Sequence, residues 1–421
     1  MADCRDSPAG CHCAMRLTEF DVVINGAGMV GAATALALAG AGLRIGVFEA
    51  REPPAWDASV VDQRVSSLTV ASRRLLVRLG AWDAMAARRV SPFDAIHAWD
   101  DHGAVYFRAG DIGEPLLGWI VENGLIQQCL LERLRQCPDV SLMLPAELTA
   151  QADEGDALRL RLSDGRRLTC RLLVGADGAA SPVREAAGIG VKQRDYGQRG
   201  LVATVTTARH HGGVARQRFL PTGPLALLPL ADGRSSLVWS AFEARASALQ
   251  DLDDTAFAEA LTVASDGVLG QVTAVSGRAA FPLRARHAER YIARRVALVG
   301  DAAHVIHPLA GQGVNLGFMD AAALAETVTA ATAARRDPGA RGVLRRYERW
   351  RRGDNRRMQW SMDAFHWLFA SSDPVRHAAR NLGFLATNRL APIKAVCMRH
   401  AMGLRGELPA LMRDPVAGEY D

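Results

Sequence analysis

Lysine is nearly absent from this 421-residue chain: of 50 basic residues only Lys192 and Lys394 are lysines. The arginine bias reads as a compositional habit and assigns no function. Cysteine is scarce as well. Seven cysteines, with 129, 137, 170 and 397 widely scattered, make no disulfide framework and fit a reducing compartment. Cys4, Cys11, His12 and Cys13 lie too close together to close a tetrahedral metal site easily, so no metal is expected. Residues 1–18 are expected to be a disordered tail, or an overextended start ahead of an initiator at Met15. No apolar run reaches 18 uninterrupted residues, and charges stand where a signal peptide needs its core. A cytoplasmic protein is expected, with peripheral contact to the inner membrane left open. Internal repeats and low-complexity blocks are also lacking.

Charge is present but uneven. Ten arginines fall between Arg335 and Arg357 against Asp337, Glu348 and Asp354, a local net of +7, which leaves about −2 for the rest of a chain whose total is +5. This distribution speaks against a general polyanion binder, and no nucleic-acid partner is expected. The patch suits a solvated helix face, or contact with phosphate or an anionic bilayer.

The chain begins in earnest with "FDVVINGAGMVGAATALALAGAGLRIGVFEA" (20–50), which reads as strand, glycine turn, small-residue helix and second strand. Residues 61–79 have helical spacing ending at Gly80, and "GLIQQCLLERLRQC" (124–137) is helical again. A hairpin is expected around Asp164-Gly165. Between 200 and 242, short β-rich runs broken by Gly and Pro suggest an antiparallel sheet. Segment 295–317 returns to strand, turn and helix, 320–334 is an alanine-rich helix, and the chain beyond Pro338 is mostly helical and basic. The fold class expected is α/β: a Rossmann-like dinucleotide-binding lobe, an inserted and mainly antiparallel β-sheet substrate lobe, and C-terminal helices. Its pieces would be 19–90, 110–190 and 285–335 for the first lobe, 91–109 and 191–284 for the second, and 336–421 for the helices.

Three glycine sites carry the chemistry. In Gly26-Ala-Gly28-Met-Val-Gly31, the first glycine permits a tight turn, the second a close backbone approach to pyrophosphate, and the third close helix–strand packing. The helix N-terminus then faces the phosphates. Glu49, 23 residues after Gly26, ends the next strand where it can accept from ribose hydroxyls, which favours FAD or NAD over NADP. The second site is "LLVGADGAASPVRE", where Asp177 and Gly178 close a strand; alone it would be an ordinary turn. The third is "GDAAHVIHPLAGQGVNLG" (300–317), where Gly300 and Asp301 close another strand. Asp301 can accept a ribityl hydroxyl. The run of Pro308, Gly311, Gln312, Gly313, Val314 and Asn315 can bring bare backbone to a flavin edge and open a helix whose amides face N1 and O2. His304 and His307 flank this loop and are read as packing or supporting residues, since no carboxylate completes a metal site.

In this order and spacing the three motifs resemble the class A flavin monooxygenases related to para-hydroxybenzoate hydroxylase, over residues 20 to 370. A closer similarity is to the ubiquinone-biosynthesis hydroxylases that act on polyprenyl phenols and benzoquinols. It is carried by "DQRVSSL" (62–68), "RFLPTGPLALLPL" (218–230), "SLVWS" (236–240), "GDAAHVIHPLAGQGVNLGFMDAAALAE" (300–326) and "YERWRRGDN" (347–355). The resemblance implies that Asp177-Gly178 serves both FAD and the passing nicotinamide, that Gly300-Asp301 binds the ribityl chain, and that Arg64 lies close to FAD. Asn123 or Gln127, opening the helix after "GWIVEN", match positions near the flavin in the wider class, with glutamine here where relatives often have arginine.

What the resemblance implies for function is hydroxylation of an electron-rich phenol or quinol ring, with NADH or NADPH as transient reductant and O2 delivered through an oxygen adduct at flavin C4a. No dedicated acid–base residue is required. Phe219, Leu228 and Pro229 are the expected lining of an apolar substrate cavity. Partners would be O2 and a hydrophobic aromatic, with a membrane or biosynthetic-complex contact through the basic helices and a homo-oligomer both left open. The alternatives are a hydroxylase of the same class acting on a quinolone or soluble aromatic, and a non-catalytic flavin-holding subunit. A halogenase fits poorly, because neither lysine is suitably placed and the tryptophans do not cluster.

Overall fold

A computed structural model describes residues 18–306, 311, 313–369, 390–404 and 406–414. Its first sheet is built on the strand Thr18–Asn25, which pairs in parallel with Ile45–Phe48 on one side and Arg167–Gly175 on the other. Val140–Met143 continues the sheet beyond Ile45–Phe48, and Val296–Leu298 beyond Arg167–Gly175, both in parallel. The central strands read as apolar runs and not as alternations because both of their faces are covered; Val22, Val23 and Ile24 are each fully buried. The hairpin expected at Asp164-Gly165 is there, with Leu158–Leu162 antiparallel to Arg167–Gly175 and Gly165 at φ 86°.

The second sheet has eight strands, in the spatial order 304–305, 272–288, 191–207, 235–242, 223–229, 214–220, 95–99 and 104–108. All neighbours are antiparallel except Val214–Leu220 with Ala95–Trp99. Its outer face buries Leu225, Leu227, Leu237 and Trp239 under the helices Glu243–Gln250 and Asp254–Ala264. Trp239 packs on Phe257 at 6.4 Å between ring centroids.

Three details depart from the sequence reading. Residues 65–68 are a strand and not helix, in a small sheet with Gly118–Glu122 and Ser91–Phe93. The helix begins only at Val70, where the Thr69 hydroxyl accepts from the Ser72 amide and caps it. The edge between the sheets is also less sharp. Val272–Ala288 is one 17-residue strand running past residue 284, and His304–Val305 of the third glycine segment pairs with its end, at His287 and Arg286. Finally, the helix expected over 320–334 starts earlier, as Gly313–Ala333. His307, Pro308, Gln312 and the Cys-containing N-terminal segment lie outside the described residues.

Replacing Trp239 with alanine should lower stability by about 3–5 kcal/mol, measured by urea denaturation, because the cavity sits under two helices that cannot collapse into it.

Candidate cofactor and substrate site

Steric exclusion brings the three glycine motifs together. A Cβ on Gly31 would stand 1.9 Å from the Gly26 carbonyl oxygen, and one on Gly26 would stand 2.4 Å from the Ala176 carbonyl oxygen. The first turn is therefore packed backbone-to-backbone against the second motif. Val30, in the same turn, fills the notch left by the third: Cβ atoms would meet its methyl groups at 3.1 Å from Gly300 and at 2.5 Å from Gly317. Gly28, by contrast, has nothing within 4 Å of where its Cβ would be, and neither does Gly178 or Gly313. Bare backbone is left open at each motif.

Side chains lock these turns. The Ala27 amide donates to Glu49 Oε2 at 2.9 Å, and the Gln127 side-chain amide donates to the Ala27 carbonyl at 3.2 Å. Asn25 Nδ2 and the Val183 amide both donate to Asp177 Oδ2, at 3.1 and 3.0 Å, while Oδ1 is buried without a hydrogen-bond partner among the described residues. Burial raises the Asp177 carboxyl, against the lowering effect of its hydrogen bonds and of Arg184. Arg184 staples the second motif to the third, donating to the carbonyls of Ala179 and Ala302, each at 2.9 Å.

Asp301 is reached by water, yet protein crowds its carboxyl. Crowding raises its pKa, and the nearby His304 and Arg64 work in the opposite direction. Arg64 also reaches the second sheet, with its guanidinium carbon 5.9 Å from the centre of the Phe281 ring. The Asn123 amide donates to the Arg64 carbonyl at 2.9 Å, and Asn123 Oδ1 accepts from Ser66 Oγ at 2.6 Å. Gly311, at φ 59°, packs on Ser67. The Asn315 side chain is fully engaged by protein: its Oδ1 accepts from the Thr69 amide and Ser72 Oγ, and its Nδ2 donates to the Ser67 carbonyl at 2.7 Å. Any contact from Asn315 to a cofactor would use its backbone. Val314 packs partly buried against the core.

The second sheet turns one face to this region. Strand alternation puts Phe219 and Leu228 on the same side as Phe281, facing Arg64. Pro229 falls on the opposite side with Leu225 and Leu227, so of the three residues expected to line a cavity only Phe219 and Leu228 share the face of Phe281. Gly200 pairs with Phe281 on the neighbouring strand, and a Cβ added there would stand 3.1 Å from the Phe281 ring. Leu228 packs with Met398 and Met402 of the Ala391–Ala401 helix and the residues that follow it.

The match to known proteins agrees with this geometry. A family model described as "FAD binding domain" matches residues 19–359. The chain belongs to this family of FAD-binding proteins. Two curated relatives of the FAD-binding family are similar along nearly the whole chain. One is the ubiquinone hydroxylase UbiL of Rhodospirillum rubrum, 41% identical over 93% of this chain and 92% of the relative. Another is the 3-demethoxyubiquinol 3-hydroxylase of Escherichia coli, 40% identical over 91% and 98%. The fold matches p-nitrophenol 4-monooxygenase PnpA from Pseudomonas putida, with a TM-score of 0.76 at 19% identity, covering 93% of this chain and 100% of that one. The chain is an FAD-dependent monooxygenase of mixed α/β fold. Open backbone at Gly28, an Asp177 oxygen without a partner among the described residues and a water-reached Asp301 fit an extended dinucleotide of that kind.

Sequence reasoning passed over a cluster directly behind the third motif. Asp320, fully buried, accepts from the Gly300 amide at 3.1 Å, from His304 Nε2 at 2.5 Å, from Arg351 Nε at 2.8 Å and from Asn355 Nδ2 at 3.0 Å. An aspartate inside the alanine run "FMDAAALAE" is the signal that could have found it. Arg351 is thus no part of a solvated basic face.

His287 borders this cluster with both ring nitrogens buried and without a hydrogen-bond partner among the described residues. Burial, then the charges of His304, Arg352 and Arg356, push it down to about 4, with Asp320 opposing. An unfolded histidine titrates near 6.5, so the unfolded chain binds the proton first, and this site's stability is complete above that pH and lost as pH falls toward 4. His287→Phe should flatten the fall in stability over that window by up to about 3 kcal/mol in urea titrations at stepped pH.

Proposed function

We propose that the protein hydroxylates the ring of a polyprenylated quinol or phenol in ubiquinone biosynthesis, with NADH or NADPH as reductant and O2 as oxidant. Bound FAD would supply the oxygen-activating chemistry; the chain's residues bind, orient and exclude water. Glu49 and the Gly26–Gly31 turn would hold the adenosine and pyrophosphate end, Asp177 and Arg64 the middle, and Asp301 the ribityl chain. The amides that open the Gly313–Ala333 helix would stabilise negative charge at the ring. Phe219, Leu228 and Phe281 form an apolar ceiling for an aromatic substrate. The observation that carries this reading is the convergence of the three glycine motifs beneath the face that holds Phe281, supported by relatives named as ubiquinone hydroxylases along almost the entire chain.

The test is oxygen uptake by purified holoprotein with NADH or NADPH, with and without a short-tailed demethoxyquinol. Uptake should rise several-fold with the quinol, and mass spectrometry should find the quinol plus one oxygen. Stimulation by soluble aromatic acids alone would assign another substrate class, and no stimulation by any aromatic would make the chain a flavin carrier. Asp301→Ala should purify with less than a tenth of the wild-type FAD, read from the ratio of visible to ultraviolet absorbance.

A membrane contact through the last helices belongs to the same reading. Arg341, Arg345, Arg349 and Arg356 are exposed along one stripe of the Arg341–Phe369 helix, and Arg356 lies 5.0 Å over the exposed ring of Trp360. No helix among the described residues is long and apolar enough to cross a membrane, so the contact would be peripheral. Changing Arg345, Arg349 and Arg356 to glutamate should abolish co-sedimentation with anionic phosphatidylglycerol vesicles at low salt; binding equal to wild type would remove the contact.

A further inference from the structure

The Arg341–Phe369 helix carries a second stripe, on the side away from solvent. Tyr347, Arg351 and Asn355 are spaced four residues apart and therefore share one face, and all three are essentially buried. Each reaches the third glycine segment or the strand that leads into it. Tyr347 donates its hydroxyl to the Leu298 carbonyl at 2.7 Å, three residues before Asp301. Arg351 and Asn355 donate to Asp320 Oδ1, and Arg351 Nη2 also donates to Asn355 Oδ1 at 2.7 Å. Asp320 in turn uses Oδ2 to hold the Gly300 amide and His304. One carboxylate thus receives four donors, its full capacity, from the turn, the short strand and the Arg341–Phe369 helix.

This is more than is needed to pack a helix. Apolar side chains of similar size would bury the same surface without taking a carboxylate and a guanidinium out of water. What the charged network adds is direction, since hydrogen bonds to fixed oxygens tolerate little displacement. Burial would raise the Asp320 carboxyl, but His304 and Arg351 outweigh it and hold the group at about 2, so it stays charged at neutral pH. Gly300, at φ 59°, is held in its left-handed turn by this oxygen on one side and by Val30 on the other.

We propose that Asp320 is a positioning residue: it fixes the Gly300–Asp301 turn in its cofactor-binding geometry and, through Arg351 and Asn355, makes that geometry depend on the docking of the Arg341–Phe369 helix. The proposal rests on the reading that Asp301 holds FAD. No step of the reaction passes through Asp320, and it touches no reacting atom.

The test is titration of apoprotein with FAD, followed by quenching of flavin fluorescence, alongside the Tm of each apoprotein. Asp320→Asn keeps the shape and removes the charge; it should weaken FAD binding at least tenfold and shift the visible bands of the bound flavin. Asn355→Leu removes one donor from Asp320 and the acceptor of Arg351 Nη2 but leaves the Asp320–Arg351 ion pair in place, so it carries the test should the first variant not fold. It should weaken FAD at least fivefold while apoprotein Tm stays within a few degrees of wild type. Asp301→Ala serves as the reference. If Asn355→Leu binds FAD like wild type, with the same flavin spectrum, while Asp301→Ala is weakened tenfold, the positioning role is overturned and the site reading stands. A lowered Tm with unchanged FAD affinity makes the network merely structural, which also overturns it. If Asp301→Ala binds normally as well, both readings fall together.

Discussion

Val30 lodged between Gly300 and Gly317 is the contact on which the rest depends. It sets the first dinucleotide turn and the third glycine segment, 270 residues apart in sequence, at van der Waals distance, and it requires hydrogen where any other residue has a side chain. On the other flank, Gly26 and Gly31 bring the same turn against Ala176. A methyl group at any of these four glycines would have to push backbone or a packed valine aside, and cores at crystal-like density do not yield without cost. The glycines at 28, 178 and 313 are different in kind. They meet nothing, and their value is the exposed backbone they leave.

That distinction explains what could be read in advance. The glycine motifs were legible because each stands at a junction of strand and helix, where local periodicity changes and few residue types fit. The hairpin at Asp164 and the helix after Glu122 were legible for the same local reason. The strand at 65–68 was not: "VSSL" has no alternation of its own, and it becomes a strand by pairing with Gly118–Glu122, a tertiary circumstance. Pro229 was misassigned because the period of two decides faces only when register is known, and register came from the partner strands.

The Asp320 cluster was invisible for a further reason. A carboxylate that is buried and satisfied looks, in sequence, like any helical aspartate; its partners lie 16 to 35 residues away and share no local pattern with it. The same holds for Arg351, which composition assigned to a basic face and geometry assigns to the interior. A helix that shows arginine to solvent on one side and uses another arginine as an interior key on the other cannot be resolved by counting charges. Only burial separates the two roles.

The order of these pieces along the chain has a consequence for synthesis. The first turn is made at 26–31, but the carbonyl it packs against follows only at 176, the segment it notches into at 300, and the last of the donors to Asp320 at 355. The nascent polypeptide therefore carries an unfinished cradle through most of translation. A chain that stops shortly before residue 355 holds every glycine motif without the donor that Asn355 gives to the carboxylate behind them.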